Sequence, residues 1–221
     1  MTEPMALPLA DTSDMIEMHR VFRACFGKSS RLVKSVATGD SERGDVVASY
    51  YANVLRLLSV HHEGEDVLVT PKLLERDPDQ AEMIERIASQ HADVVSLMDA
   101  AEASLASWRQ SFDGAARADL IHALERLDRE LTVHLDAEEA DILPIAARCL
   151  NAAEWGELPS HGMQHFDGDK LWLVMGLIRD QMSPEHRAEM DAHMPPPVAA
   201  SWAASGQAMF SEFAERLDAG T

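Results

Sequence analysis

Apolar residues recur every three or four positions along most of this chain, the period of helices that bury one face. Met15, Met18, Phe22 and Phe26 form the first such stripe and predict a helix from Asp11 to about Val36. The polar, glycine-bearing stretch Thr38 to Gly44 reads as a loop. A second helix is expected from about Asp45 to Glu75, a turn at Asp77-Pro78-Asp79, and a third helix from about Gln80 to Gln110. Asp113-Gly114 punctuates again before a fourth, Ala115 to Leu150. Four long segments joined by short turns pack as antiparallel neighbours, so the expected fold is all-α, an up-down-up-down four-helix bundle over residues 11–150.

Beyond Asn151 the texture changes. Glu154 to Gly168 is rich in glycine and histidine and contains Pro159. Asp169 to Met182 reads as a short helix. Ser183-Pro184 is a helix start, with serine as N-cap and proline in the first turn. Met194-Pro195-Pro196-Pro197 interrupts, and Ala199 to Leu217 reads as a last helix. Residues 151–221 are thus expected to be a C-terminal helical extension packed on the bundle, with no role the sequence assigns.

Composition narrows the partners. The chain has 221 residues, 38 acidic against 19 basic, and a formal net charge of −19. Such a surface repels nucleic acid phosphates and anionic lipid headgroups, so neither is an expected partner. The longest apolar-leaning run, Leu171 to Ile178, is too short to span a bilayer. Met1 to Asp14 shows no signal-peptide pattern, and Cys25 and Cys149 form no zinc-ribbon spacing. A soluble cytoplasmic protein, monomer or homodimer, is the expectation, with both cysteines as buried small apolar residues.

The chemistry lies in an internal repeat. His61 is followed by an acid at +2, a small residue at +3, Glu65 at +4, Asp66 at +5 and Pro71 at +10. His134 has the same surroundings: Asp136, Ala137, Glu138, Glu139 and Pro144. A lone histidine precedes each, His19 by 42 residues (61 − 19) and His91 by 43 (134 − 91). On a helix, residues four apart stand about 40° apart and about 6 Å along the axis, so each His-x-x-x-Glu presents both side chains to one point. Two such pairs facing two lone histidines give a His4Glu2 set between helices, the arrangement of di-metal bundles. If both glutamates bridge, a bridging oxo or hydroxo group brings each metal to about five donors and leaves room for an exogenous ligand. Mixed nitrogen and oxygen donors without thiolate suit iron, manganese or zinc, and a pair of irons fits the open, redox-capable arrangement best.

The segments HHEGEDVLVTP and HLDAEEADILP, with His19 in MIEMHRVFR and His91 in SQHADVV, resemble the hemerythrin-like (HHE cation-binding) family over roughly Asp11 to Leu150. The resemblance implies a four-helix bundle with a non-haem di-iron centre, and metal-ligand roles for His19, His61, Glu65, His91, His134 and Glu138. Oxygen-carrying hemerythrins have a further histidine four residues before the position of His91, where this chain has Ile87. They take their last carboxylate one residue later, at the position of Glu139. The chain thus departs from the oxygen-storage pattern and resembles the more symmetric bacterial version. Relatives of that kind are associated with dioxygen, hydrogen peroxide or nitric oxide, and with iron sensing.

Other residues receive lesser roles. His62 is turned about 100° from His61 and is expected at the surface or in support of a ligand. His122 is expected to be exposed, and Tyr50 and Tyr51 to be core. His161 and His165 could fold back to replace the histidine absent at Ile87, although Gly162 and Gly168 favour a loop or capping role. Three activities remain open: a di-iron protein binding or turning over a small oxidant, an iron- or oxygen-sensing binding protein, and a di-iron oxidase acting on a small organic substrate.

Overall fold

Helix caps set the frame of the molecule. In the computed structural model, which describes residues 8–166 and 170–219, Asp40 accepts a hydrogen bond from the Arg43 amide at 3.0 Å and opens helix α3, Ser41–Gly64. Asp113 accepts from the amides of Ala115 and Ala116 at 2.8 and 2.9 Å and opens α6, Gly114–Ala137. Each carboxylate satisfies donors that the first helical turn leaves free. Between them lie α4, Thr70–Arg76, a 3-10 turn at Pro78–Gln80, and α5, Ala81–Ser111. The described residues are helical throughout, apart from turns and one isolated bridge between Leu9 and Asn151.

The first segment differs from the expected single helix. It is α1, Ser13–Gly27, followed by α2, Ser29–Lys34. The break falls at Gly27-Lys28, where glycine's backbone freedom makes continued helix costly. Met15, Phe22 and Phe26 are buried as the stripe predicts, and Met18 is half-buried. Tyr50 and Tyr51 are core residues, Cys25 is buried and His122 exposed, all as expected; Cys149 is only partly buried.

The chain after Asn151, where the glycines favoured a loop or capping role around His161 and His165, is helical: α8, Ala152–Trp155, and α9, Glu157–Gln164. Asn151 caps α8 through a reciprocal box with Glu154, a signal in the sequence that outweighs the glycines. Then follow α10, Leu171–Gln181, α11, Pro184–His193, α12, Pro196–Ser201, and α13, Gln207–Asp218. Ser183 caps α11 by accepting from the His186 amide at 3.2 Å. Gly168 and Asp169, and the first half of the Met1–Asp14 segment, lie outside the described residues.

α5 packs along α6, and α3 along α5, while α1 and α2 lie on α6. Phe22, Tyr50, Leu55, Trp108 and Leu124 belong to one apolar core. Leu173, Leu177 and Leu217 of α10 and α13 are buried in that same core. Removing a leucine or isoleucine side chain from such packing typically costs about 2–5 kcal/mol. A second apolar cluster, with Met15, Leu73, Ile84, Leu143 and Trp155, gathers at the other end. Among the described residues, no helix is long and apolar enough to cross a membrane.

Candidate metal centre

Both halves of the repeat distort their helices in the same way. From Glu65 to Val69 and from Glu138 to Ile142 the helix widens into a π-turn. Thr70 donates its amide proton to the Glu65 carbonyl, and Leu143 to that of Glu138, five residues back in each case. The prolines at +10 supply the reason. Pro71 and Pro144 lack an N–H and would clash with the carbonyl four residues before them, so the preceding turn opens. Each opening begins at the glutamate of His-x-x-x-Glu, which locates the repeat's third signature physically.

Six residues singled out by the sequence, and one that was not, converge between the two apolar clusters. One ligand atom from each of His19, His61, Glu65 and Glu138 lies within 4.8 Å of the others. His62, His91 and His134 form a second group by the same measure. Glu138 links the two: its Oε2 is 3.5 Å from His19 Nε2, and its Oε1 is 3.3 Å from His91 Nε2 and 3.2 Å from His134 Nε2. Glu65 lies 3.6 Å from His61 Nε2 and 3.7 Å from His91 Nε2.

Outer partners aim the rings. His19 Nδ1 donates to Glu139 at 2.9 Å, His91 Nδ1 to Asp66 at 2.7 Å, and His134 Nδ1 to Gln90 at 3.1 Å. In each ring the Nδ1–H is thereby occupied and Nε2 faces the interior with its lone pair, the tautomer and orientation a metal ligand needs. Glu139 is itself held by Arg23 at 2.6 Å, and Arg23 also binds Asp136 at 2.6 Å. Of the adjacent pair, then, Glu138 points into the cluster and Glu139 supports His19.

Of the two places expected for His62, the surface and the support of a ligand, the structure rules out the surface. The residue is 2% exposed and stacks on His91, ring centroids 4.5 Å apart, with His134 at 5.2 Å. A single helical wheel puts it 100° from His61, but the bundle interior subtends an angle wide enough for both. The doubled histidine at 61 and 62 was the only signal that could have found it. His161 and His165, candidates to replace the missing histidine, sit elsewhere: they gather with Glu63, and neither joins the buried groups. His62 is instead the extra histidine of the interior.

Burial sets the electrostatics of the cluster. Burial holds the His61 imidazole down to a pKa of about 3, and nearby histidines push the same way. Burial, then the neighbouring His61, takes His62 well below the ordinary histidine value, and burial lowers His19. These rings are neutral, the ligating form. Burial and the neighbouring Glu138 raise Glu65 well above the usual carboxylate range. Burial acts upward on Glu138 too, but the close imidazoles of His134 and His91 outweigh it and hold Glu138 well below the usual carboxylate range. Several inward atoms have no hydrogen-bond partner: Nε2 of His19, His61 and His134, both nitrogens of His62, and one oxygen each of Glu65 and Glu138. So many orphaned polar atoms would cost several kcal/mol unless something satisfies them. A cation is the group their chemistry fits.

Beside Glu65, His91 and Glu138 lies a cavity of about 20 Å³. Met15, Val69, Ile84, Ile87 and Trp155 wall it with apolar surface. That is room for a molecule the size of water. Ile87 is among the residues that line this space.

Comparison with known proteins agrees with the geometry. No curated protein and no solved structure matches the chain. A family model described as the hemerythrin HHE cation binding domain matches residues 10–146, which contain all seven converging residues. More than half of the chain is covered, and the protein belongs to the hemerythrin HHE cation-binding family.

Proposed function

We propose that this protein holds two iron ions in the bundle and binds or reacts with a small oxidant: dioxygen, hydrogen peroxide or nitric oxide. His19, His61, Glu65 and Glu138 would hold one ion, and His62, His91, His134 and Glu138 the other. A di-iron pair held there would supply the electrons for reaction with a small oxidant. The observation that carries this reading is the cavity of about 20 Å³ beside Glu65, His91 and Glu138. Its size suits a diatomic or peroxide ligand and disfavours an organic substrate.

The chain's own residues do the rest. Asp66, Gln90 and Glu139 fix the tautomers of His91, His134 and His19, so their lone pairs face the centre. Met15, Ile84, Ile87 and Trp155 exclude bulk water and strengthen charge interactions inside. The same reading takes residues 11–150 as an antiparallel up-down-up-down bundle and residues 151–221 as its extension; the short turns around Pro78–Gln80 and Asp113 support it.

The test is metal content and the near-ultraviolet spectrum of iron-loaded protein, followed by addition of peroxide, dioxygen or nitric oxide. Two irons per chain, a spectrum lost in His61→Ala, and a change on adding one of these oxidants are expected. Catalytic loss of peroxide would mark an enzyme, and a stable spectral change a binder. Iron no higher than in His61→Ala would overturn the reading.

A further inference from the structure

The two halves of the repeat differ on their outer face. In the second half, the acid at +2 is Asp136, and Arg23 neutralises it at 2.6 Å. In the first half the equivalent acid, Glu63, meets two imidazoles instead. A ligand atom from each of Glu63, His161 and His165 lies within 4.8 Å of the others. We propose that Glu63, His161 and His165 form a second, peripheral cation site for zinc or a similar divalent transition metal, separate from the interior centre.

Local geometry supports this step by step. His161 and His165 are i and i+4 at the end of α9, so both rings stand on one face, centroids 4.5 Å apart. His165 Nδ1 donates to the His161 carbonyl at 2.9 Å. That leaves the His165 Nε2 lone pair free, and it lies 3.8 Å from a Glu63 oxygen. The separation is too long for a hydrogen bond. It is within about 0.5 Å of the spacing two ligands adopt around a tetrahedral zinc with bonds of about 2.0–2.1 Å. His161 Nε2 is screened from solvent and has no hydrogen-bond partner. A buried imidazole nitrogen without a partner is expensive, and a metal removes that cost. Two histidines and one carboxylate, with a position left for water, are a common zinc donor set.

The site's place in the fold gives it a consequence. A Cβ at Gly64 would meet His161 Cδ2 and Leu158 Cδ2, both at 3.2 Å, so α9 packs closely on α3 at this glycine. The repeat has Ala137 at the matching position. A cation bound by Glu63 of α3 and the two histidines of α9 would clamp the segment after the bundle next to Glu65, an interior carboxylate.

The experiment is equilibrium dialysis of the full chain against micromolar free zinc, comparing wild type, His165→Ala and Glu63→Gln, with hydrogen exchange read over residues 157–165. Because the comparison is a difference between chains with an intact interior, it stands whatever metal the interior takes. Expected are one zinc fewer per chain in His165→Ala, at least tenfold weaker zinc at the peripheral site in Glu63→Gln, and zinc-dependent slowing of exchange in α9 that both substitutions abolish. His161→Asn, which keeps a polar group, serves as a second variant should His165→Ala loosen α9; it too is expected to bind one zinc fewer. Equal zinc binding by wild type and these variants, or exchange in α9 indifferent to zinc, would overturn the proposal.

Discussion

His62→Leu should stabilise the metal-free protein and weaken its hold on metal. In the folded chain His62 is 2% exposed, and neither ring nitrogen has a hydrogen-bond partner. Each unsatisfied buried polar group costs about 1–3 kcal/mol. Leucine removes both nitrogens and keeps apolar contact, at the loss of the stacking on His91 at 4.5 Å and some imperfect packing. The net gain for the metal-free fold should be about 1–3 kcal/mol. For a chain of this length, each kcal/mol moves Tm by about 2–4 °C. Thermal unfolding followed by helical circular dichroism, in chelator and after loading with iron, measures both signs. The metal-free variant should melt several degrees above wild type. The loaded variant should gain less from iron than wild type does, because one group of ligands has lost a histidine. A metal-free His62→Leu that melts below wild type would show that the ring nitrogens are satisfied and would refute the reasoning. Unchanged iron content would remove His62 from the centre.

Other consequences follow from the same geometry. Metal-free protein should lose stability as pH falls from about 6.5 towards about 3: His61 and His62 have folded values below their unfolded ones, so the unfolded chain takes up protons the folded one refuses. Above about 6.5 both states leave these rings neutral and the effect vanishes; the slope, about 1.4 kcal/mol per pH unit for each ring, should be shallower in His62→Leu when denaturant midpoints are compared across pH. Glu139→Gln weakens the acceptor for His19 Nδ1 and the anchor of Arg23, and should lower metal affinity by about 10–100-fold in competition with a chelator while leaving helicity unchanged. Pro71→Ala restores an N–H where the helix widens; it should stabilise metal-free α3 and α4 towards regular helix, swing Glu65 out of register, and reduce iron content. Ile87→Ala should destabilise the fold by about 2–5 kcal/mol in denaturant titration and speed access of small ligands to the cavity in stopped-flow mixing.

The chain's local signals carried much of this protein. Helical periodicity and the turn residues at 77–79 and 113–114 located the long helices, because amphipathic stripes and caps are properties of short stretches of chain. The two His-x-x-x-Glu motifs, their spacing to His19 and His91, and the prolines at +10 located the interior site, because residues four apart share a face wherever the helix goes. Three matters depended on which elements meet. Arg23 of α1 claims Glu139 and leaves Glu138 for the interior, a choice that two adjacent glutamates on one helix do not reveal. His62 enters the interior because α5 and α6 bring His91 and His134 to that side of α3, a placement that no single helical wheel contains. His161 and His165 reach Glu63 rather than the centre because Asn151 caps α8 and the chain then lays α9 against Gly64. Spacing along one helix is local geometry, written in the residues themselves; which charge finds which partner across helices is settled only when the packed elements compete for the same space.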